Sequence, residues 1–214
     1  MQMTDSRTAW DKDYRSRGQL WGGAPVLLPL SLLDMPAGSR VLEIGCGSGK
    51  TVSALMGRSC EIIAFDFSTK AVELSQRVLG RYHSGDAIVA DARNLPFLEH
   101  TFGFIVASHV IGHIQKEERN TIAKEVERVL QPGGRLLLQE FSVDDMRNGT
   151  GKKVEDSTFL RGTGILTHYF TENEIGGLFF PLIRESVRTR FWTMRVRGRD
   201  LRRAEIVAVF IKKN

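Results

Sequence analysis

The sequence predicts an α/β fold in which a mostly parallel, doubly wound sheet carries helices on both faces and two further strands close one edge. Three observations lead there. Short apolar runs recur at 40–44, 61–66, 87–90 and 102–107, and stretches with helical spacing of apolar residues lie between and after them. The first run enters a glycine-rich turn, and the next two end in acids, Asp66 and Asp91. The chain has 214 residues, 42% of them hydrophobic, enough for one domain with a sizeable core and a modest insert. We read 1–214 as a single domain: an arm over 1–37, a core over 38–141, an insert over 142–186 and a hairpin over 187–214.

The composition narrows the function classes. No apolar run reaches the roughly 18 residues of a membrane span, and the first residues lack an apolar signal region, so a cytoplasmic protein is expected. Cys46 and Cys60 make no disulfide framework and read as reduced thiols. No metal site is expected, because His109 and His113 are joined by no carboxylate or cysteine cluster. The net charge is +5 and the excess is uneven, with eight arginines between 184 and 203 facing Glu185 and Asp200 within that stretch. Such a patch suits an acidic partner. Its alternative is a solvated edge whose charges deter sheet-to-sheet pairing.

Along the chain, Trp10, Tyr14 and Trp21 stand in a polar arm, where rings of this size need something to pack on. A short helix is expected over 24–33, with Pro25 at its first position, and Pro36-Ala37-Gly38 ends it. Strand one, 40–44, leads to Gly45-Cys46-Gly47-Ser48-Gly49 and a helix over about 49–57. Glycines there let a ligand approach the backbone, and the helix start offers free N–H groups. Two phosphate-binding patterns fail by one residue each. A P-loop needs glycine where Ile44 stands, and the dinucleotide fingerprint needs glycine where Lys50 stands.

What remains is E-x-G-x-G-x-G, from Glu43 through Gly45, Gly47 and Gly49. It resembles motif I of the class I S-adenosylmethionine (SAM)-dependent methyltransferases, whose Rossmann-like sheet has seven strands and an antiparallel edge hairpin. That resemblance implies SAM as cofactor, S-adenosylhomocysteine (SAH) as product, and an arm that folds over the cofactor. Strand two, 61–66, ends in Asp66 at the position that faces the ribose in doubly wound sheets. Ser68 caps the next helix, whose buried face is Ala71, Val72, Leu74, Ser75, Val78 and Leu79. Strand three, 87–90, is followed by Asp91-Ala92 and Leu95-Pro96-Phe97, which resembles the adenine-binding segment of the superfamily. The cofactor residues implied are Glu43, Gly45, Cys46, Gly47, Gly49, Asp66, Phe67, Asp91, Ala92 and Ser108.

Strand four, 102–107, leads to Ser108-His109-Val110, with no proline of the kind used by amino-directed adenine and glutamine methyltransferases. A helix over 116–130 and the turn Leu130-Gln131-Pro132-Gly133-Gly134 precede strand five. The turn strengthens the similarity to the type 11-like methyltransferase domain, which spans roughly 40–140. Most of the insert reads as loop, and Thr171 with Glu174 forms a capping box that starts a helix to about 180. Strands at 187–196 and 206–212 make the hairpin.

Methyl transfer from a sulfonium needs mainly proximity, and a base only where the acceptor loses a proton. His109, Glu140 and Tyr169 are the candidates for catalysis. Tyr14, Trp21, His168, Tyr169, Arg188 and Arg190 are the candidates for the acceptor. The segment 162–174 is similar to a C-terminal stretch of the tRNA cytosine-N3 methyltransferases. It agrees with the arginines in pointing to an RNA acceptor, since arginines grip phosphates irrespective of sequence. The alternatives are an anionic small-molecule acceptor and a catalytically silent SAM-binding partner subunit.

Overall fold

The computed structural model describes residues 3–18, 29–56, 58–81 and 85–214. Helix α1 (Met3–Arg17) opens the chain, and a single 3-10 turn follows at Leu30–Leu33. Of the helix expected over 24–33 only this turn falls among the described residues; 24–28 and Trp21 lie outside them. The core then alternates: β1 (Ser39–Ile44), α2 (Lys50–Leu55), β2 (Cys60–Asp66), α3 (Thr69–Leu79), β3 (Gly85–Val89) and β4 (Phe102–Ser108). A 3-10 turn at Ile111–His113, α4 (Lys116–Val129) and β5 (Leu130–Phe141) complete it.

The insert, expected to be mostly loop, instead builds β6 (Lys152–Glu155), β7 (Thr158–Leu160) and β8 (Leu166–His168), a three-stranded antiparallel sheet. Helix α5 (Glu172–Leu178) follows, and β9 (Ile183–Val196) and β10 (Arg199–Ile211) end the chain. The capping expectations hold. Ser68 accepts from the Ala71 N–H at 3.1 Å, and Thr171 from the Glu174 N–H at 3.2 Å.

The main sheet has the order β3-β2-β1-β4-β5-β10-β9, parallel except for the last two strands. This is the seven-stranded, Rossmann-like arrangement with an antiparallel edge. Because helices cover both faces, its central strands are apolar throughout rather than alternating. Val41, Ile62, Val106 and Leu137 pack with Val52, Leu55 and Leu79 on one side. On the other side Leu42, Phe65, Ile105 and Leu138 pack with Ile122, Val126 and Ile175.

Both hairpin strands run longer than expected. β10 pairs with β5 only over residues 205–211, while its partnership with β9 continues out to Arg199. The outer part of the hairpin is therefore a two-stranded arm.

Candidate active site

The strand order reverses between β1 and β4, and open α/β sheets bind ligands in the crevice beyond the strands' carboxyl ends at such a reversal. An open cleft lies there. Gly45 and the acids Asp66 and Asp91 come from the tips of β1, β2 and β3; Phe65, Phe67, Ala90 and Ala92 sit beside the acids. His109, Val110, His113 and Ile114 close it from the β4 side, and Trp10 and Tyr14 cover it from α1.

The glycine loop is bent by positive φ angles at Gly45, Gly47 and Gly49. Its glycines first answer to protein neighbours rather than to a ligand. A Cβ on Gly47 would stand 2.7 Å from the Tyr14 hydroxyl, and one on Gly49 would stand 2.9 Å from Val78 Cγ2 on α3. Ser75 of α3 ties the loop down by donating to the carbonyl of Gly47 at 3.0 Å. Cys46 turns its thiol into the core, where burial raises its pKa. Glu43 is 2% exposed, its Oε2 has no hydrogen-bond partner, and burial pushes its carboxyl well above the ordinary range. Neither Glu43, Cys46, Gly47, Gly49 nor Ser108 is part of the cleft wall. They lie behind it, Ser108 as the half-buried last residue of β4.

Asp66 accepts the Gly47 N–H at 3.0 Å on one oxygen and the Ser68 N–H at 2.9 Å on the other, with the Phe67 amide also acting on the carboxylate. Burial pushes its pKa up to about 6, against those amides. Asp91 is gripped by Arg93, with Oδ2 2.7 Å from Nη2. Burial alone would raise its pKa, but Arg93 outweighs that and holds it below the usual carboxylate range. The cleft thus offers two carboxylates and apolar walls, and no Lys or Arg is among the described residues lining it. Such an acceptor set suits hydroxyl and amino groups on a phosphate-free, cationic molecule, as SAM is, and disfavours a nucleotide phosphate.

Helix α1 is fastened over the cleft. Asp11 accepts from the Ser68 hydroxyl and, at 3.2 Å, from the Lys70 N–H at the start of α3. Trp10 stacks on Tyr14 with centroids 5.7 Å apart and meets the His113 ring edge-on at 4.9 Å. His113 donates from Nδ1 to the Leu166 carbonyl at 2.6 Å, and burial pushes its pKa down to about 4. It is a neutral wall residue.

The expected catalytic and acceptor residues separate. His109, in left-handed backbone, stacks on Phe141 at 4.1 Å and places Nε2 3.4 Å from Glu205 Oε2, while its buried Nδ1 has no partner. Burial alone would raise the Glu205 pKa, but His109, Gln139 and Arg190 hold it down at about 2. Glu140 points the other way. It is 1% exposed and accepts the N–H groups of Val110 and Ile111 at 2.9 and 2.6 Å, so it shapes the loop after β4 and does not line the cleft. His168 is engaged by Thr158 at 2.7 Å and Glu174 at 2.9 Å, which makes it a strut between β7, β8 and α5. Tyr169 is 1% exposed and packs on Phe141 and Phe159. Arg188 is exposed, whereas Arg190 is half-buried and paired with Glu205.

Sequence reasoning missed Val110, Ile114 and Glu205 as site residues. Glu205 carried a signal: a lone acid in the otherwise apolar run Ala204-Glu205-Ile206-Val207. Val110 and Ile114 carried none, since their roles follow from the 3-10 turn that Glu140 holds in place.

A family described as a methyltransferase domain matches residues 42–138. The tRNA N(3)-methylcytidine methyltransferase Mettl2 of Drosophila melanogaster is 30% identical over 82% of this chain and 60% of its own length. The tRNA N(3)-cytidine methyltransferase METTL2 of Gallus gallus is 30% identical over 73% of this chain. The chain spans 60% and 46% of the lengths of these two curated relatives. A solved SAM-dependent methyltransferase of Methanosarcina mazei superposes with a TM-score of 0.74 at 25% identity, covering 87% of this chain and 98% of that one.

Proposed function

We propose that this chain, which belongs to the SAM-dependent methyltransferases, methylates an anionic acceptor, and that the acceptor is RNA. Its cofactor is SAM, which supplies a methyl group activated on a sulfonium for in-line displacement. When SAM is bound, Asp66 would hold the ribose hydroxyls, and Asp91, partly neutralised by Arg93, would hold the adenine amino group. Trp10 and Tyr14 of α1 keep water out. His109 stands at the boundary between the cofactor cleft and the Phe141 face. With Nε2–H directed to the Glu205 carboxylate, its Nδ1 is the nitrogen free to take a proton from the acceptor.

The observation that carries the RNA reading is the arm that outruns the sheet. Arg195, Arg197 and Arg199 are exposed near its tip, beside Phe191 at 47% and Trp192 at 37% exposure. Exposed rings among arginines can stack on bases while the guanidiniums hold phosphates. The similarity to tRNA methyltransferases supports the same reading. A small-molecule acceptor is the second reading, favoured by the cover that α1 forms over the cleft. Incubation with methyl-labelled SAM and separate pools of RNA, protein and metabolites decides between them. Label in RNA is expected; label confined to metabolites overturns the proposal, and label in none leaves the chain a silent SAM-binding subunit.

A further inference from the structure

Beside the Phe141 face, a second group of charges, which includes Arg203 of β10, converges on one buried hydroxyl. Tyr169 is 1% exposed and its OH has no hydrogen-bond partner. Leaving such a group without a partner is costly, so an orphan of this kind marks a site that something polar completes. The charged groups acting on this hydroxyl are Arg161, Asp145, Arg147 and Arg203, three guanidiniums against a single carboxylate.

That carboxylate is already engaged. Asp145 receives Arg203 Nε at 2.6 Å and the N–H groups of Ala204 and Arg147 at 3.0 Å each. Arg203 is itself 4% exposed and lies between two rings, its Cζ 5.4 Å from the Phe141 centroid and 5.2 Å from that of Trp192. Arg147 and Arg161 are half-buried. Burial lowers the Arg147 pKa and Arg203 and Arg161 lower it further, against Asp145 and Tyr169, which raise it. Clustered positive charge in a partly dry place is unfavourable until an anion enters, and guanidiniums with a phenolic donor are well suited to an oxyanion. The cluster lies one ring away from His109, because Phe141 touches both His109 and Tyr169.

We propose that Tyr169, Arg147 and Arg161, with Arg203 held on Asp145, form a phosphate-binding site that anchors the acceptor beside the group to be methylated. This rests on the anionic-acceptor reading and deepens it: the ligand is the phosphate of a nucleotide, next to the base that reaches His109.

The test uses the full chain saturated with SAH. Calorimetric titrations compare the four ribonucleosides with their 5′-monophosphates, with inorganic phosphate as competitor. At least one monophosphate is expected to bind about tenfold or more tightly than its nucleoside, and inorganic phosphate to erase the difference. Tyr169→Phe keeps the ring packing and removes only the donor, and Arg161→Gln removes one charge. Each is expected to cut the monophosphate advantage roughly tenfold while SAH affinity and the unfolding midpoint hold. Lys153→Gln removes an equal charge from an exposed position and is expected to cut little. Monophosphates no tighter than nucleosides, or variants that keep the full advantage, overturn the site. If RNA stays unlabelled while the phosphate advantage and its loss in both variants hold, the site stands and the RNA reading falls. If RNA is labelled equally by both variants at every salt concentration, the RNA reading stands and the site falls.

Discussion

At the scale of single residues, Asp66 has the most to lose. Replacing it with alanine removes a charged acceptor from the cleft wall, and bonds of that kind are worth about 1.5–3 kcal/mol, so SAH affinity is expected to fall roughly ten- to a hundredfold. Calorimetry on the folded variant checks this. The same residue sets a pH dependence. Its folded pKa, about 6, lies above the 3.8 of the free side chain. The stability from protonating Asp66 in the fold is therefore present below about 3.8 and lost as pH rises through about 6. A ligand that donates hydrogen bonds needs the ionised form. SAH affinity should therefore rise between pH 5 and pH 7, with proton release on binding near pH 6. Titrations in two buffers of different ionisation enthalpy measure that proton, and Asp66→Asn should abolish it.

At the scale of elements, the glycine loop is held from behind as much as it is opened in front. Gly49 has φ of 82° and lies against Val78 and Ser75 of α3. Gly49→Ala combines a left-handed alanine, about 1–2 kcal/mol, with a forced shift against α3, about 1–3 kcal/mol. A lower urea midpoint, with little change in slope, is the expected result. The hairpin separates two arginines that the sequence could only group together. Arg188 and Arg190 do share a face with Trp192, since they pair across the hairpin with Val207, Glu205 and Arg203. Arg190 answers to Glu205, however, whereas Arg188 is exposed. Arg188→Ala should reduce the salt slope of RNA binding by about one, measured by fluorescence anisotropy. Arg190→Ala should instead disturb Glu205 and His109.

The same hairpin explains what could and could not be read from the sequence. Strand tips ending in glycine or acid were legible because turn chemistry is local. The outer hairpin was not, because Arg203 reads as exposed until Asp145, 58 positions away, is brought to it. The insert's sheet was hidden for a related reason. Lys152-Lys153-Val154-Glu155 shows no apolar alternation, and its strand exists by pairing with 158–160. Within the cleft the acids were legible. The roles of Glu140 and His168 were not, since each is fixed by partners that only the fold brings near.

At the scale of the whole molecule, the cofactor cleft has a cover whose fastening is separate from its floor. Asp11 of α1 binds Ser68 and the Lys70 N–H, residues that do not line the cleft. Asp11→Ala should leave the sheet intact by circular dichroism and speed SAH release roughly tenfold, the equivalent of about 1.4 kcal/mol of lost hydrogen bonding. Stopped-flow displacement of SAH checks it, and an unchanged rate would mean that α1 does not gate release.

The reversal of strand order between β1 and β4 has a consequence for how such a chain can diversify. Strands β1 to β3 bring Gly45, Asp66 and Asp91 to one side of the seam; β4, β5 and β10 bring His109, Phe141 and Glu205 to the other. The two sides meet closely where Gly45 faces Val110, a Cβ on the glycine standing 2.3 Å from the valine side chain. Asp66 and Tyr169, on opposite sides of the seam, share no partners: the first is held by the Gly47 and Ser68 amides, the second packs on Phe141 and Phe159. Asp66→Ala combined with Tyr169→Phe should therefore show additive free energies, within about 0.5 kcal/mol, whereas pairs that include Val110 should not. Substitutions that change the acceptor can then be made along one side of the sheet without loosening the grip on the methyl donor on the other.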